Sequence, residues 1–121
     1  MDHKQLDVWI CSMDMVVEVY KILEQFPKKE QYILTSQIQR SLISIPSNIA
    51  EGCARKSEKE TVHFLSVSLG SLAELETQLL IAQRLSYIKT EEELFKKLTK
   101  IKQLTLGLIR YLETRIANQN K

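Results

Sequence analysis

Apolar residues recur along this chain every three to four positions, and no stretch alternates with a period of two between turns. That spacing is the period of a helix rather than a strand. The first such run covers residues 6–26 and places Trp9, Met13, Val16, Val17, Tyr20 and Leu23 at helical intervals before Pro27 closes it. A polar connection, PKKEQY, leads into a second run over 35–56, in which Ile38, Leu42, Ile45 and Ile49 are spaced 4, 3 and 4. The third run, 58–88, opens on Ser57-Glu58-Lys59-Glu60, the pattern of a capping box, with Ser57 capping the first turn and the glutamate reaching back. Thr90-Glu91-Glu92-Glu93 repeats that device before the fourth run, 91–118, whose inward side is marked by Leu94, Leu98, Ile101, Leu104, Leu108 and Leu112. Four helices joined by short connections predict an all-α, antiparallel up-down-up-down four-helix bundle, a single domain over residues 1–121.

Pro46 interrupts this simplicity. A proline inside a helix removes one N–H and crowds the carbonyl four residues back, at about 3 kcal/mol. The apolar stripe nevertheless passes straight through it, which predicts one helix kinked at Pro46 rather than two. Ser41 and Ser44 lie in the preceding turn, where a hydroxyl or a water is expected to satisfy the Leu42 carbonyl left without a donor. The competing expectation starts a new helix at Ser44, with the proline in its first turn.

Polar positions carry a second signal. Gln37, Ser41, Ser44, Asn48, Glu51 and Arg55 form a stripe about 100° from the apolar one. Between Thr35 and Ala50 the only charge is Arg40, and between Thr61 and Gln83 the only full charges are Glu74 and Glu76. The third helix also carries Ser66, Gly70, Ala73 and Thr77 at spacings of 4, 3 and 4, a strip another backbone can approach closely. A bundle helix with a free outer face normally shows charges there. Two that do not predict homo-oligomerisation through the second and third helices.

Composition narrows the rest. With 121 residues, 44% hydrophobic and 26% charged, the chain can bury a core without disulfide or metal. Two distant cysteines, Cys11 and Cys53, and no secretory signal lead to the expectation of reduced thiols in a cytoplasmic protein. No apolar run approaches the ~20 residues that span a bilayer, and no membrane association is expected. The net charge is only +2, yet residues 89–121 hold eight basic and four acidic side chains. The basic candidates for phosphate contact are Arg40, Arg55, Lys56, Lys89, Lys96, Lys97, Lys100, Lys102, Arg110 and Arg115. No aromatic residues are expected to interleave with them, so RNA or DNA would be held through phosphates with weak sequence preference.

Catalytic constellations are missing. Glu60 and His63 make one E-x-x-H pair, where a di-iron bundle needs two pairs and further carboxylates. Two cysteines and two histidines make no zinc site, and no glycine loop cradles a phosphate. No cofactor is expected and the chain is read as a non-enzyme. An RNA-cleaving bundle is the remote alternative, and it requires Arg55 and His63 to meet in a cleft.

The segments FPKKEQYILTSQIQRS, SIPSNIAEG, and GSLAELETQLLIA followed by SYI resemble a bacterial family of four-helix-bundle proteins encoded in intervening sequences of 23S ribosomal RNA genes. The accessory variability protein of diversity-generating retroelements looks like a relative. The resemblance covers nearly the whole chain in the same order. It implies a homopentameric ring without enzymatic activity and, for the retroelement relative, binding of RNA and of a reverse transcriptase through basic surfaces. The family's signature positions fall here on Gln37, Pro46, Asn48, Glu51, Gly52, Gly70, Ser71 and Glu74, which with Ser44 are expected to be structural or at an oligomer interface. Two functions follow as expectations: a nucleic-acid-binding or ribonucleoprotein accessory protein, or a protein-interaction scaffold that never touches nucleic acid.

Overall fold

The structure is a computed structural model, and it describes residues 1–120. Four α-helices carry the chain: α1 (Asp7–Leu23), α2 (Leu34–Ala54), α3 (Glu58–Arg84) and α4 (Glu92–Gln119), with single 3-10 turns at His3–Gln5 and Lys28–Glu30. Among the described residues there is no strand. Each helix packs against its two neighbours in an α1-α2-α3-α4-α1 circuit, and among the described residues the backbones of the diagonal pairs stay farther apart. This is an antiparallel four-helix bundle. Its centre is a continuous cluster that includes Met15, Ile38, Leu42, Ile45, Ile49, Leu65, Leu75, Leu79, Leu94, Leu98, Ile101 and Leu112.

The helix ends follow local chemistry. Ser57 caps α3 by accepting from the Glu60 N–H at 3.2 Å. The second expected box does not form: α4 begins at Glu92 with Glu91 at the cap and no side-chain bond, leaving Glu92 and Glu93 to face the helix N-terminus. At the other end of α3, the Tyr87 N–H donates to the Ala82 carbonyl (2.9 Å) and the Ser86 N–H to that of Gln83 (3.0 Å). Ser86 sits at φ 62°. Those bonds and that left-handed residue make a Schellman stop, in which most helices place glycine. It ends α3 at Arg84, short of Ile88.

α2 is one helix with Pro46 inside it, so no separate helix starts at Ser44. Neither serine hydroxyl bonds the Leu42 carbonyl as expected. The Ser41 hydroxyl lies 3.1 Å from the Ile38 carbonyl and 2.7 Å from Oε1 of Gln78, and the Ser44 hydroxyl lies 2.7 Å from that of Ser71. Both serines therefore serve the contact with α3.

That contact is the closest in the bundle. Ser68 donates to the Ile45 carbonyl (2.9 Å) and Thr61 to that of Gly52 (2.8 Å), both buried. Asn48 supports the row from within α2, donating to the carbonyl and hydroxyl oxygens of Ser44 at 2.8 Å. A Cβ on Gly52 would stand 3.0 Å from Cβ of Phe64 and 3.2 Å from the Thr61 carbonyl oxygen, so glycine is needed there for the two backbones to meet. The middle of the polar stripe of α2, Ser41, Ser44 and Asn48, thus serves the contact with α3, while Gln37, Glu51 and Arg55 stay exposed.

The buried side of α1 follows the stripe expected from the sequence only in part. Val8, Ser12, Met15, Val19 and Ile22 face inward with Leu23, Trp9 and Val16 are half-buried, and Met13, Val17 and Tyr20 remain exposed. α1 is apolar on two sides, and both stripes have the same period. On α4, Leu94, Leu98, Ile101 and Leu112 are buried as expected; Thr105 and Ile109 join them, while Leu104 and Leu108 are half-buried. α3 is the one helix, among the described residues, long and apolar enough to cross a membrane. Leu65, Leu72, Leu75 and Leu79 direct part of that apolarity into the core.

Candidate nucleic-acid interface

On α4, rotation by about 100° per residue aligns Lys96, Lys100, Gln103, Gly107, Arg110 and Thr114 in one row. All six are exposed, and the core residues of α4 lie on the opposite side. Lys96 and Arg110 stand about 21 Å apart along the helix. Beside the upper end of this row is a shallow dish of ≈ 450 Å³ lined by Glu92, Phe95, Lys96, Thr99, Lys100 and Gln103. The half-buried Phe95 ring gives it an apolar wall between cations.

The other basic candidates are dispersed. Lys97 donates to Glu18 on α1 at 2.6 Å, and that bond holds its ammonium above the usual lysine pKa. Arg115 donates through Nε to Glu58 on α3 at 2.8 Å, which likewise raises its pKa. Its guanidinium also stands 5.7 Å from the centre of the Tyr111 ring. Arg55 pairs with Glu51 one turn back at 2.6 Å and lies 4.7 Å over the Phe64 ring. Lys96 is 3.3 Å from Glu93, but both side chains are largely in water, where such a pair contributes little. Lys102 lines a cleft of ≈ 230 Å³ between α3 and α4, together with Glu76, Leu69 and Leu106. Arg40 is exposed on α2, Lys56 in the α2–α3 turn, and Lys89 ahead of α4.

Sequence reasoning overlooked the aromatic partners. Phe95, Phe64 and Tyr111 each accompany basic residues, contrary to the expectation that none would. Tyr111 and Arg115 are one turn apart, a spacing readable in advance. Arg55 and Phe64 meet only because the α2–α3 turn folds one helix onto the next.

Arg55 and His63 both flank the Phe64 ring, His63 edge-on at 5.2 Å between ring centres. Both are exposed, and Arg55 is bound to Glu51. This is an outer surface rather than a cleft that would hold a scissile phosphate. No group of His, Cys, Asp and Glu among the described residues is arranged to hold a metal. Cys53 is buried, which raises the pKa of its thiol.

The remaining signature positions divide between core and surface. Ser44, Gly52 and Ser71 lie in the α2–α3 contact, with Asn48 beside them. Pro46 is buried and borders a surface depression toward α1. Gln37, Glu51, Gly70 and Glu74 are exposed.

Residues 4–107 match the family described as 23S rRNA-intervening sequence proteins. The chain belongs to that family. A crystal structure described as a protein with unknown function from the S23 ribosomal protein family of Bacteroides thetaiotaomicron VPI-5482 is similar, with a TM-score of 0.78 and 26% identity. The match covers 91% of this chain and 99% of that one. No curated protein matches. SIPSNIAEG of α2 and GSLAELETQ of α3 contribute Ser44, Gly52 and Ser71 to the α2–α3 contact. Neither match names the accessory variability protein of retroelements.

Proposed function

We propose that this 23S rRNA-intervening sequence protein is a non-enzymatic, homo-oligomeric bundle that binds RNA through the outer face of α4. The observation that supports it is the row of Lys96, Lys100 and Arg110 beside the Phe95 dish, on a helix whose opposite side is core. Three cations about 21 Å from end to end are suited to phosphates along one strand. Repetition around an assembly, five copies as the resemblance implies, multiplies a modest affinity into a substantial one.

RNA titration across a range of salt concentrations tests this reading. Each phosphate contact on a single strand contributes about 0.7 to the slope of log affinity against log salt. The triple variant Lys96→Gln, Lys100→Gln, Arg110→Gln should lose about 2 from that slope per subunit engaged. No binding at low salt, or an unchanged slope, removes the proposal.

A scaffold that docks a protein partner is the second reading. It is favoured by the pairing of Arg55, Lys97 and Arg115 with carboxylates, which lowers the charge available to phosphates. Retention of a partner protein by the triple variant, with no RNA affinity in the parent, is its signature.

A further inference from the structure

α3 and α4 do not close on each other completely, and the cleft of ≈ 230 Å³ between them combines an apolar floor with two opposite charges. Leu72 and Leu98, both buried, form the floor, and the half-buried Leu69 and Leu106 extend it. The α3 wall includes Ala73, whose single methyl group leaves the space above the floor unfilled. Glu76 enters from α3 and Lys102 from α4. Both are exposed, and among the described residues neither makes an ion pair, with the other or with any other side chain. A carboxylate and an ammonium that share one cleft without meeting leave room for a group of both charges between them.

We propose that this cleft binds a free aliphatic amino acid, its ammonium to Glu76, its carboxylate to Lys102 and its side chain over Leu72 and Leu98. Such a ligand carries both complementary charges on one carbon, next to an apolar chain, which is the arrangement of the cleft itself. A residue within a peptide lacks them, so the free form is selected. Size narrows the class. An apolar cavity of about 150 Å³ holds benzene, or about 25 Å³ per non-hydrogen atom. At that density ≈ 230 Å³ takes about nine such atoms, the size of leucine, isoleucine or methionine. Glycine would leave the floor bare and tryptophan would overfill the space. Thr99 also lines the cleft, and its hydroxyl donates to the Phe95 carbonyl at 3.1 Å, so the oxygen is left to accept from the ligand ammonium. Lys102 stands outside the row of Lys96, Lys100 and Arg110, so the site is independent of the proposed RNA contact.

Calorimetric titration at neutral pH tests the assignment with L-leucine and three analogues. Leucinamide lacks the carboxylate charge, N-acetyl-leucine lacks the ammonium, and N-acetyl-leucinamide lacks both. Leucine should bind, and loss of either charge should weaken it about tenfold or more, the worth of one hydrogen bond to a charged group. Glu76→Gln should weaken leucine by the same factor and leave N-acetyl-leucine unchanged; Lys102→Gln should weaken leucine and leave leucinamide unchanged. Ala73→Leu fills the cleft and should abolish binding, with circular dichroism confirming that the helices are intact. N-acetyl-leucinamide binding as tightly as leucine means that the cleft reads only an apolar side chain, as a protein partner would supply, and overturns the proposal. Leucine binding that survives Ala73→Leu places the ligand elsewhere and overturns it too, as does the absence of binding at millimolar leucine.

Discussion

Replacing Gly52 with alanine adds a single carbon at the tightest point of the bundle. Its Cβ would lie 3.0 Å from Cβ of Phe64 and 3.2 Å from the Thr61 carbonyl oxygen. Carbon atoms rest about 3.5–4.0 Å apart, so α2 and α3 must part by roughly half an ångström at this point. Neither neighbour can swing away, because one is backbone and the other is fixed directly to it. Parting also lengthens the 2.8 Å bond from Thr61 Oγ1 to the Gly52 carbonyl. Overpacking costs about 1–3 kcal/mol and a weakened buried hydrogen bond about 1 kcal/mol. Alanine returns about 1 kcal/mol through its higher helix propensity. The expected net effect is a loss of about 2 kcal/mol, or a Tm lower by about 8 °C for a domain of this size. Gly107 is the internal control: it lies in α4 with nothing within 4 Å of an added Cβ. Gly107→Ala should therefore stabilise by about 1 kcal/mol, a rise of roughly 4 °C. Urea unfolding followed by far-UV circular dichroism, at one chain concentration because assembly is linked to folding, reads both. A Gly52→Ala protein as stable as the parent, or shifted in the same direction as Gly107→Ala, refutes the close approach.

Two further outcomes follow from the end of α3. Ser86 holds φ 62° without being glycine, so Ser86→Gly should raise stability by about 1 kcal/mol in the same urea assay. The Tyr87 hydroxyl donates to Glu30 at 2.7 Å, and this bond raises the pKa of the phenol above its ordinary value of about 10. A raised folded pKa means the contribution is complete below the unfolded value and disappears as pH climbs through the folded one. The stability difference between parent and Tyr87→Phe should therefore be constant through neutral pH and vanish or reverse above pH ~10; a difference that persists in strong alkali contradicts the assignment.

The candidate site was legible only in fragments. Lys96, Lys100 and Arg110 can be placed on one face from their numbers alone, because they lie within one helix whose period is known. Lys97, Arg55 and Arg115 could not be sorted from them in the same way. Lys97 and Arg115 meet carboxylates 79 and 57 positions away, and Arg55 lies over a ring from the next helix. Such contacts leave no trace in local spacing.

The number of helices, their order, the stop near Pro27, the Ser57 cap and the inward stripe of α2 were all determined by the sequence alone. Each depends on interactions within a few residues, and in α2 only one side is apolar enough to be core. The rotation of α1 about its axis was decided by the tertiary structure. Val8, Met15 and Val19 compete with Met13, Val17 and Tyr20 at equal periodicity, and packing against α2 and α4 selects the first set. Tertiary structure likewise set the middle of α2's polar stripe against α3, where Ser41 meets Gln78 and Ser44 meets Ser71. Periodicity fixes which residues share a face; only the neighbouring helices decide which face is buried.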